Sequence, residues 1–168
     1  INILINPVPT LGNSDVKTAQ VNTADKLTSR NFDEYITAAE SGDAEAQDRL
    51  GLSYISGDGV KKDYHKALEW FRASANQGNK EAQYHLGLVH YFQMIRSGNE
   101  DDKAIKLFKK AAKQGHVKAI YAVGVMYYNG YGSEDSAHYD KAMPWFKLSA
   151  SKGYPLAQNQ LGVMYESG

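Results

Sequence analysis

The pair Leu-Gly recurs at Leu50-Gly51, Leu86-Gly87 and Leu161-Gly162, with Val123-Gly124 as a variant, and successive glycines lie 36, 37 and 38 residues apart. Ala46, Ala82, Ala119 and Ala157 keep the same step, five residues ahead of each glycine. A second block follows, opening at Ala67, Ala104 and Ala142 and carrying Trp70-Phe71, Leu107-Phe108 and Trp145-Phe146. It closes on Ala75, Ala112 and Ala150, then on Gly78, Gly115 and Gly153. Tandem copies of this length specify a solenoid, in which each copy buries its apolar side only against its neighbours. The extended surface that results is suited to binding.

Each copy reads as two helices. Ala82, Leu86, Gly87 and His90 form one stripe at helical period, as do Ala46, Leu50, Gly51 and Tyr54, and these define helix A. Ala67, Trp70, Phe71, Ser74 and Ala75 mark one face of helix B. The expected structural core comprises Leu50, Gly51, Tyr54, Trp70, Leu86, Gly87, Gly124, Trp145, Leu161 and Gly162, with the four glycines at close helix contacts. Gly78, Gly115 and Gly153 stand where helix B must stop, because a residue without Cβ enters the left-handed region freely. The runs Gly57-Asp58-Gly59-Val60 and Gly130-Tyr131-Gly132 turn the chain between A and B.

These residues carry a resemblance. Ala46-Gln47, Leu50-Gly51, Tyr54, Gly57-Asp58-Gly59-Val60, Asp63, Lys66-Ala67, Trp70-Phe71, Ala75 and Gly78 resemble the Sel-one-like repeat, a relative of the tetratricopeptide repeat. The resemblance implies an all-α fold, a right-handed α/α superhelix of antiparallel helix pairs. It divides the chain into a leader over residues 1–30, a diverged half repeat (helix B) at 31–43, and repeats at 44–79, 80–116 and 117–154. A closing half repeat (helix A) at 155–168 has the look of an array that continues. The second copy departs from the pattern: His90 replaces the tyrosine, Gln93-Met94-Ile95 replaces the glycine turn and Leu107 replaces the tryptophan, which leaves its helix A free to run longer. In the third copy Pro144 falls early in helix B, so that helix is expected to begin at or just after Asp140.

Composition narrows the function classes. Nineteen Lys+Arg balance nineteen Asp+Glu, so no global charge draws the chain to nucleic acid or an anionic membrane. No apolar run reaches the length of a span, so membrane insertion is not expected. The absence of cysteine removes disulfides and thiolate metal sites. Residues 1–30 are rich in Asn, Thr, Ser and Asp and contain Pro7 and Pro9; Val16, Ala19-Gln20, Ala24 and Leu27 could form a short capping helix. The chain opens on Ile1, and a polar leader of this kind often follows a removed export signal, which favours the periplasm or the exterior over the cytoplasm.

Chemistry has few footholds. Ser149-Ala150-Ser151-Lys152 and Ser14-Asp15-Val16-Lys17 fit S-x-x-K without the S-D-N and K-T-G elements that accompany it in penicillin-recognising enzymes. His85 and His90 lack the H-E-x-x-H arrangement, and His90 takes the inter-helix tyrosine position, as a hydrogen-bonded core histidine would. Lys103, Lys106, Lys109-Lys110 and Lys113 read as the solvated outer face of the second helix B, with its cations towards the negative dipole end. The expectation is a protein without enzymatic activity, cofactor or metal.

The sharper signal lies on helix A. With Leu86 at zero on a helical wheel, Tyr91, Tyr84 and Leu88 cluster at about 140°, 160° and 200°, away from the packing stripe. Tyr128, Tyr121 and Val125 repeat the trio one copy on; Asp48, Leu52 and Ile55 extend it backwards, and Asn159 and Val163 forwards. In tetratricopeptide proteins the matching positions line a concave groove. The resemblance therefore implies a protein-protein interaction scaffold whose partner-binding residues are Tyr84, Leu88, Tyr91, Tyr121, Val125, Tyr128, Asp48 and Leu52, with Glu45, Glu81 and Lys118 supplying polar specificity. That exposed aromatic surface would be covered by a protein partner, by another copy through the terminal half repeats, or by the leader folded back as a pseudo-ligand. The alternative from another class is a small-molecule or cell-wall-fragment receptor with residual hydrolase activity.

Overall fold

A computed structural model describes residues 29–97, 102–132 and 138–166. Residues 1–28, which include the expected capping helix, the pseudo-ligand segment and the Ser14–Lys17 motif, lie outside the described residues. Within them the chain forms eight helices: α1 Ser29–Glu40, α2 Ala44–Ser56, α3 Tyr64–Asn76, α4 Lys80–Ser97, α5 Lys103–Lys113, α6 Val117–Tyr128, α7 His138–Ser151 and α8 Pro155–Glu166. The helices group into two compact units that divide within α4, one reaching Val89 and the other starting at His90.

The unit that ends at Val89 is built on a wedge. The fully buried Phe71 ring of α3 enters the gap left by Gly51 on α2, where an added Cβ would stand 2.6 Å from the ring. Ser74, near the end of α3, donates its hydroxyl hydrogen to the carbonyl of Ala44 at the start of α2, so the two helices run antiparallel. On the other side of α2, Phe32 and Ala39 of α1 pack with Ala46 and Leu50, and Tyr54, Val60 and Trp70 close over that cluster.

The second unit repeats the construction. Phe146 of α7 fills the gap at Gly124 of α6, 2.8 Å from where a Cβ would lie, and the Ser149 hydroxyl donates to the Val117 carbonyl at 3.2 Å. The A–B turn docks on the preceding helix B in the same way in both units: Gly59 faces Phe32, and Gly132 faces Ile105.

Helix ends follow local chemistry. Asp43, Asn79 and His116 accept hydrogen bonds from the backbone N–H groups of Ala46, Ala82 and Ala119, which satisfies one exposed donor at each helix start. The equivalent position before α8 is Tyr154, which cannot cap in this way, and Pro155 follows as a first residue that needs no N–H partner. At the other ends Gly78, Gly115 and Gly153 adopt φ of 90°, 80° and 82°. The next N–H in each case returns to the Ser74, Ala111 or Ser149 carbonyl.

Three expectations are corrected. Trp70 and Trp145 are only half-buried, whereas Phe71, Phe108 and Phe146 are fully buried. The inward direction of helix B is one residue later, and Trp70 instead seals the α1–α2 cluster with its edge in water. Gly162, expected at a close contact, faces open space with nothing within 4 Å of an added Cβ, and Leu161 beside it is half-buried. Finally α7 starts at His138, not Asp140, which leaves Pro144 inside the helix. Pro144 is exposed, so water can satisfy the Asp140 carbonyl that the proline leaves without a donor. The second helix A does run long, at 18 residues.

Candidate protein-binding face

In the unit ending at Val89 the expected face comprises Asp48 and Leu52 of α2 and Tyr84 and Leu88 of α4. All four are buried, Tyr84 at 1% and Leu88 at 0% exposure. Asp48 occupies the place that tyrosine takes in the later copies, and a buried carboxylate requires a partner. His85 supplies it, with Nδ1 at 2.8 Å from the Asp48 carboxylate. The imidazole also lies 5.3 Å from the Phe71 ring, centroid to centroid, tying the pair to the wedge. Sequence reasoning set His85 beside His90 and missed this pairing. The available signal was its distance of 37 residues from Asp48, one repeat along the chain, which brings residues together on adjacent A helices.

In the unit from His90 onward the face comprises Tyr91 of α4 and Tyr121, Val125 and Tyr128 of α6. Tyr91, Tyr121 and Val125 are buried, so the expectation of an open tyrosine patch is corrected. The rings turn onto neighbours: Tyr121 packs on Phe146 of its own helix B at 5.5 Å and on Tyr154 at 5.2 Å. Burial pushes the Tyr121 phenol up to about 12, with the nearby Tyr91 phenol adding to the effect. Tyr128 is half-buried, and its hydroxyl lies 3.1 Å from that of Tyr139, whose ring is 48% exposed. That hydrogen bond, then burial, raises the Tyr128 phenol above its ordinary range, while a hydrogen bond with Gln160 of α8 acts the other way.

The row continues onto α8, where it opens. Asn159 and Val163, the counterparts of Tyr121 and Val125, are exposed, Val163 at 45%. Among these helix-A positions the open ones are Tyr128, whose hydroxyl meets that of Tyr139 on α7, and Asn159 and Val163.

The remaining candidates are accounted for by structure. The Ser149 hydroxyl of the S-x-x-K match is fully buried in its bond to Val117. Lys103, Lys106, Lys110 and Lys113 are exposed, and Lys109 lies 5.0 Å from the centre of the Tyr127 ring. Glu45 pairs with Arg49 at 2.7 Å. Among the described residues no three His, Asp or Glu side chains gather as a metal site would require, and no helix is long and apolar enough to cross a membrane.

This arrangement of paired helices meets known proteins at both levels. The family described as plant tetratrico peptide repeats matches residues 60–153, and the Sel1 repeat matches residues 155–168. The chain is a Sel1-like repeat protein of the tetratricopeptide class. A Sel1 repeat protein from Oxalobacter formigenes is 29% identical with a TM-score of 0.65, over 79% of this chain and 98% of that one. A protective antigen of uropathogenic Escherichia coli with an SLR fold is 30% identical with a TM-score of 0.70, over 83% of this chain and 29% of that one. An immunity protein from Pseudomonas aeruginosa is 25% identical with a TM-score of 0.56, over 94% of this chain and 60% of that one. A Sel1-like repeat-containing protein of Acanthamoeba polyphaga mimivirus is 42% identical over 53 residues, and the match spans 10% of its length. The fold is an all-α repeat solenoid. Sel1-like families are typically protein-interaction scaffolds.

Proposed function

We propose that this Sel1-like protein is a non-catalytic scaffold that docks a protein partner along the inner face of its A helices. The observation that supports the proposal is the exposure pattern at equivalent positions of α6 and α8: Tyr121 and Val125 are buried, Tyr128 is half-buried, and Asn159 and Val163 are exposed. The Tyr128–Tyr139 pair and the exposed Val163 offer apolar area together with hydroxyl groups, a combination favoured at interfaces. In the unit ending at Val89 the corresponding positions Asp48, Leu52, Tyr84 and Leu88 are buried. An exported, outward-facing setting belongs to the proposal. The similarity to a protein described as a protective antigen supports it.

The test is capture of partners by the wild-type chain and by a Tyr128→Ala, Val163→Glu double variant, with Leu148→Ser, an exposed site on α7, as control. The expected result is loss of a specific captured protein with the double variant alone. Equal capture by all three chains would overturn the assignment.

A further inference from the structure

The even charge of the chain conceals a division along it. Residues 1–89 carry nine Lys and Arg against twelve Asp and Glu, whereas residues 90–168 carry ten against seven. Helix α5 concentrates that excess. Its exposed side chains are Lys103, Lys106, Lys110 and Lys113, set three, four and three residues apart, so they form one row about 15 Å long. The opposite side of the helix is sealed by Ala104, Ile105, Phe108 and Ala112, which fixes the direction in which the row faces.

The repeat does not demand this row. Counted from the buried phenylalanine of each second helix, Lys106, Lys110 and Lys113 correspond to Glu69, Ala73 and Asn76 on α3 and to Pro144, Leu148 and Ser151 on α7. Neither of those helices carries a cation at any of the three positions. Folding of α5 does not demand the row either, since like charges three or four residues apart on a helix destabilise it. Asp102 offsets this at the helix start, 3.6 Å from Lys106, and the helix dipole favours Lys110 and Lys113 at the end. These effects let the row stand; they do not select four lysines on one face over the mixed residues of α3 and α7.

We infer that the row is a docking site for an acidic helical segment of a partner protein, with Asp or Glu repeating at the same three- and four-residue spacing. A helix laid along α5 brings its carboxylates to the pitch of the lysines, and the concentrated charge steers the encounter. Other anionic partners fit the face less well. With no exposed apolar side chain, α5 has nothing to enter a bilayer. With no exposed ring it offers no platform for stacked bases, and with neither arginine nor amide in the row it cannot read base edges by paired hydrogen bonds. The row lies on the outer side of an internal copy and shares no residue with the proposed face on α6 and α8. Either can fail without the other.

The probe is a fluorescein-labelled synthetic peptide with glutamates spaced three, four and three residues apart on an alanine and glutamine background. It is titrated into the intact chain by anisotropy in about 0.1 M salt, where charges beyond about 10 Å are screened. Expected are saturable one-to-one binding, about tenfold or greater weakening by Lys106→Glu with Lys110→Glu, and a smaller loss with Lys106→Gln and Lys110→Gln. Circular dichroism should show both double variants fully helical, since the side chains are exposed. Lys147→Glu with Lys152→Glu, an equal charge change at exposed sites outside α5, should leave binding within about twofold. Equal weakening by that control pair overturns the inference, as does equal affinity for a peptide of the same composition with its glutamates scattered around the helix, or the absence of saturable binding. Tighter binding to duplex DNA or to phosphatidylserine vesicles than to the peptide overturns it in favour of that surface.

Discussion

Gly51→Ala measures the wedge that defines the repeat. In an exposed helix this substitution would stabilise by about 1 kcal/mol through backbone propensity. Here the new Cβ would lie 2.6 and 2.7 Å from two atoms of the Phe71 ring, about 0.8 Å inside ordinary contact. The ring has no exposed surface into which to retreat, and overpacking of this kind costs about 1–3 kcal/mol. The opposing terms leave a net loss of up to about 2 kcal/mol, and in no case the gain of an open site. Gly162→Ala is the internal control, because nothing lies within 4 Å there and only the propensity gain, about 0.5–1 kcal/mol, should register. Urea denaturation followed at 222 nm reads both, and Phe71→Leu should rescue part of the Gly51→Ala loss in a double-mutant cycle. Stabilisation by Gly51→Ala equal to that by Gly162→Ala would refute the wedge.

Other outcomes follow from the same geometry. Phe71→Ala should lose about 3–5 kcal/mol as a large-to-small core change, and Trp70→Ala clearly less because its edge is in water; equal losses in urea melts would return the tryptophan to the core. Ser74→Ala and Ser149→Ala should each lose about 1 kcal/mol, and Ser149→Ala should leave any reaction with a chromogenic β-lactam unchanged from background. The fold favours the neutral Tyr121 phenol, whose pKa rises from 10.0 to about 12. Its contribution is therefore complete below pH 10 and declines as pH rises towards 12, and Tyr121→Phe should flatten that decline in melts across the interval.

The fold was legible because its determinants are local and repeated. Gly51 and Gly124, the closing Gly78, Gly115 and Gly153, and the paired turn glycines each solve one steric problem at a fixed interval, so spacing alone located them. The phase of helix B was harder, since Trp70 and Phe71 both lie on its apolar side and only packing decides which points inward. The inner face was misjudged for a related reason. A helical wheel places Tyr84, Tyr91 and Tyr121 opposite Leu86 and its equivalents, but whether neighbouring elements cover that side depends on how helices converge, which no single helix encodes. The Asp48–His85 pair escaped notice because it joins two copies, while motif spacing was weighed within one.

The central claim is that a protein partner lies against the inner face where α6 and α8 open. A photo-crosslinking amino acid placed singly at Tyr128 or Val163 tests it directly, with Tyr64, 67% exposed on α3, as the comparison site. The account predicts one discrete protein adduct shared by positions 128 and 163, displaced by excess unlabelled chain and absent at position 64. Adducts of equal yield at position 64, or none at 128 and 163, would contradict it.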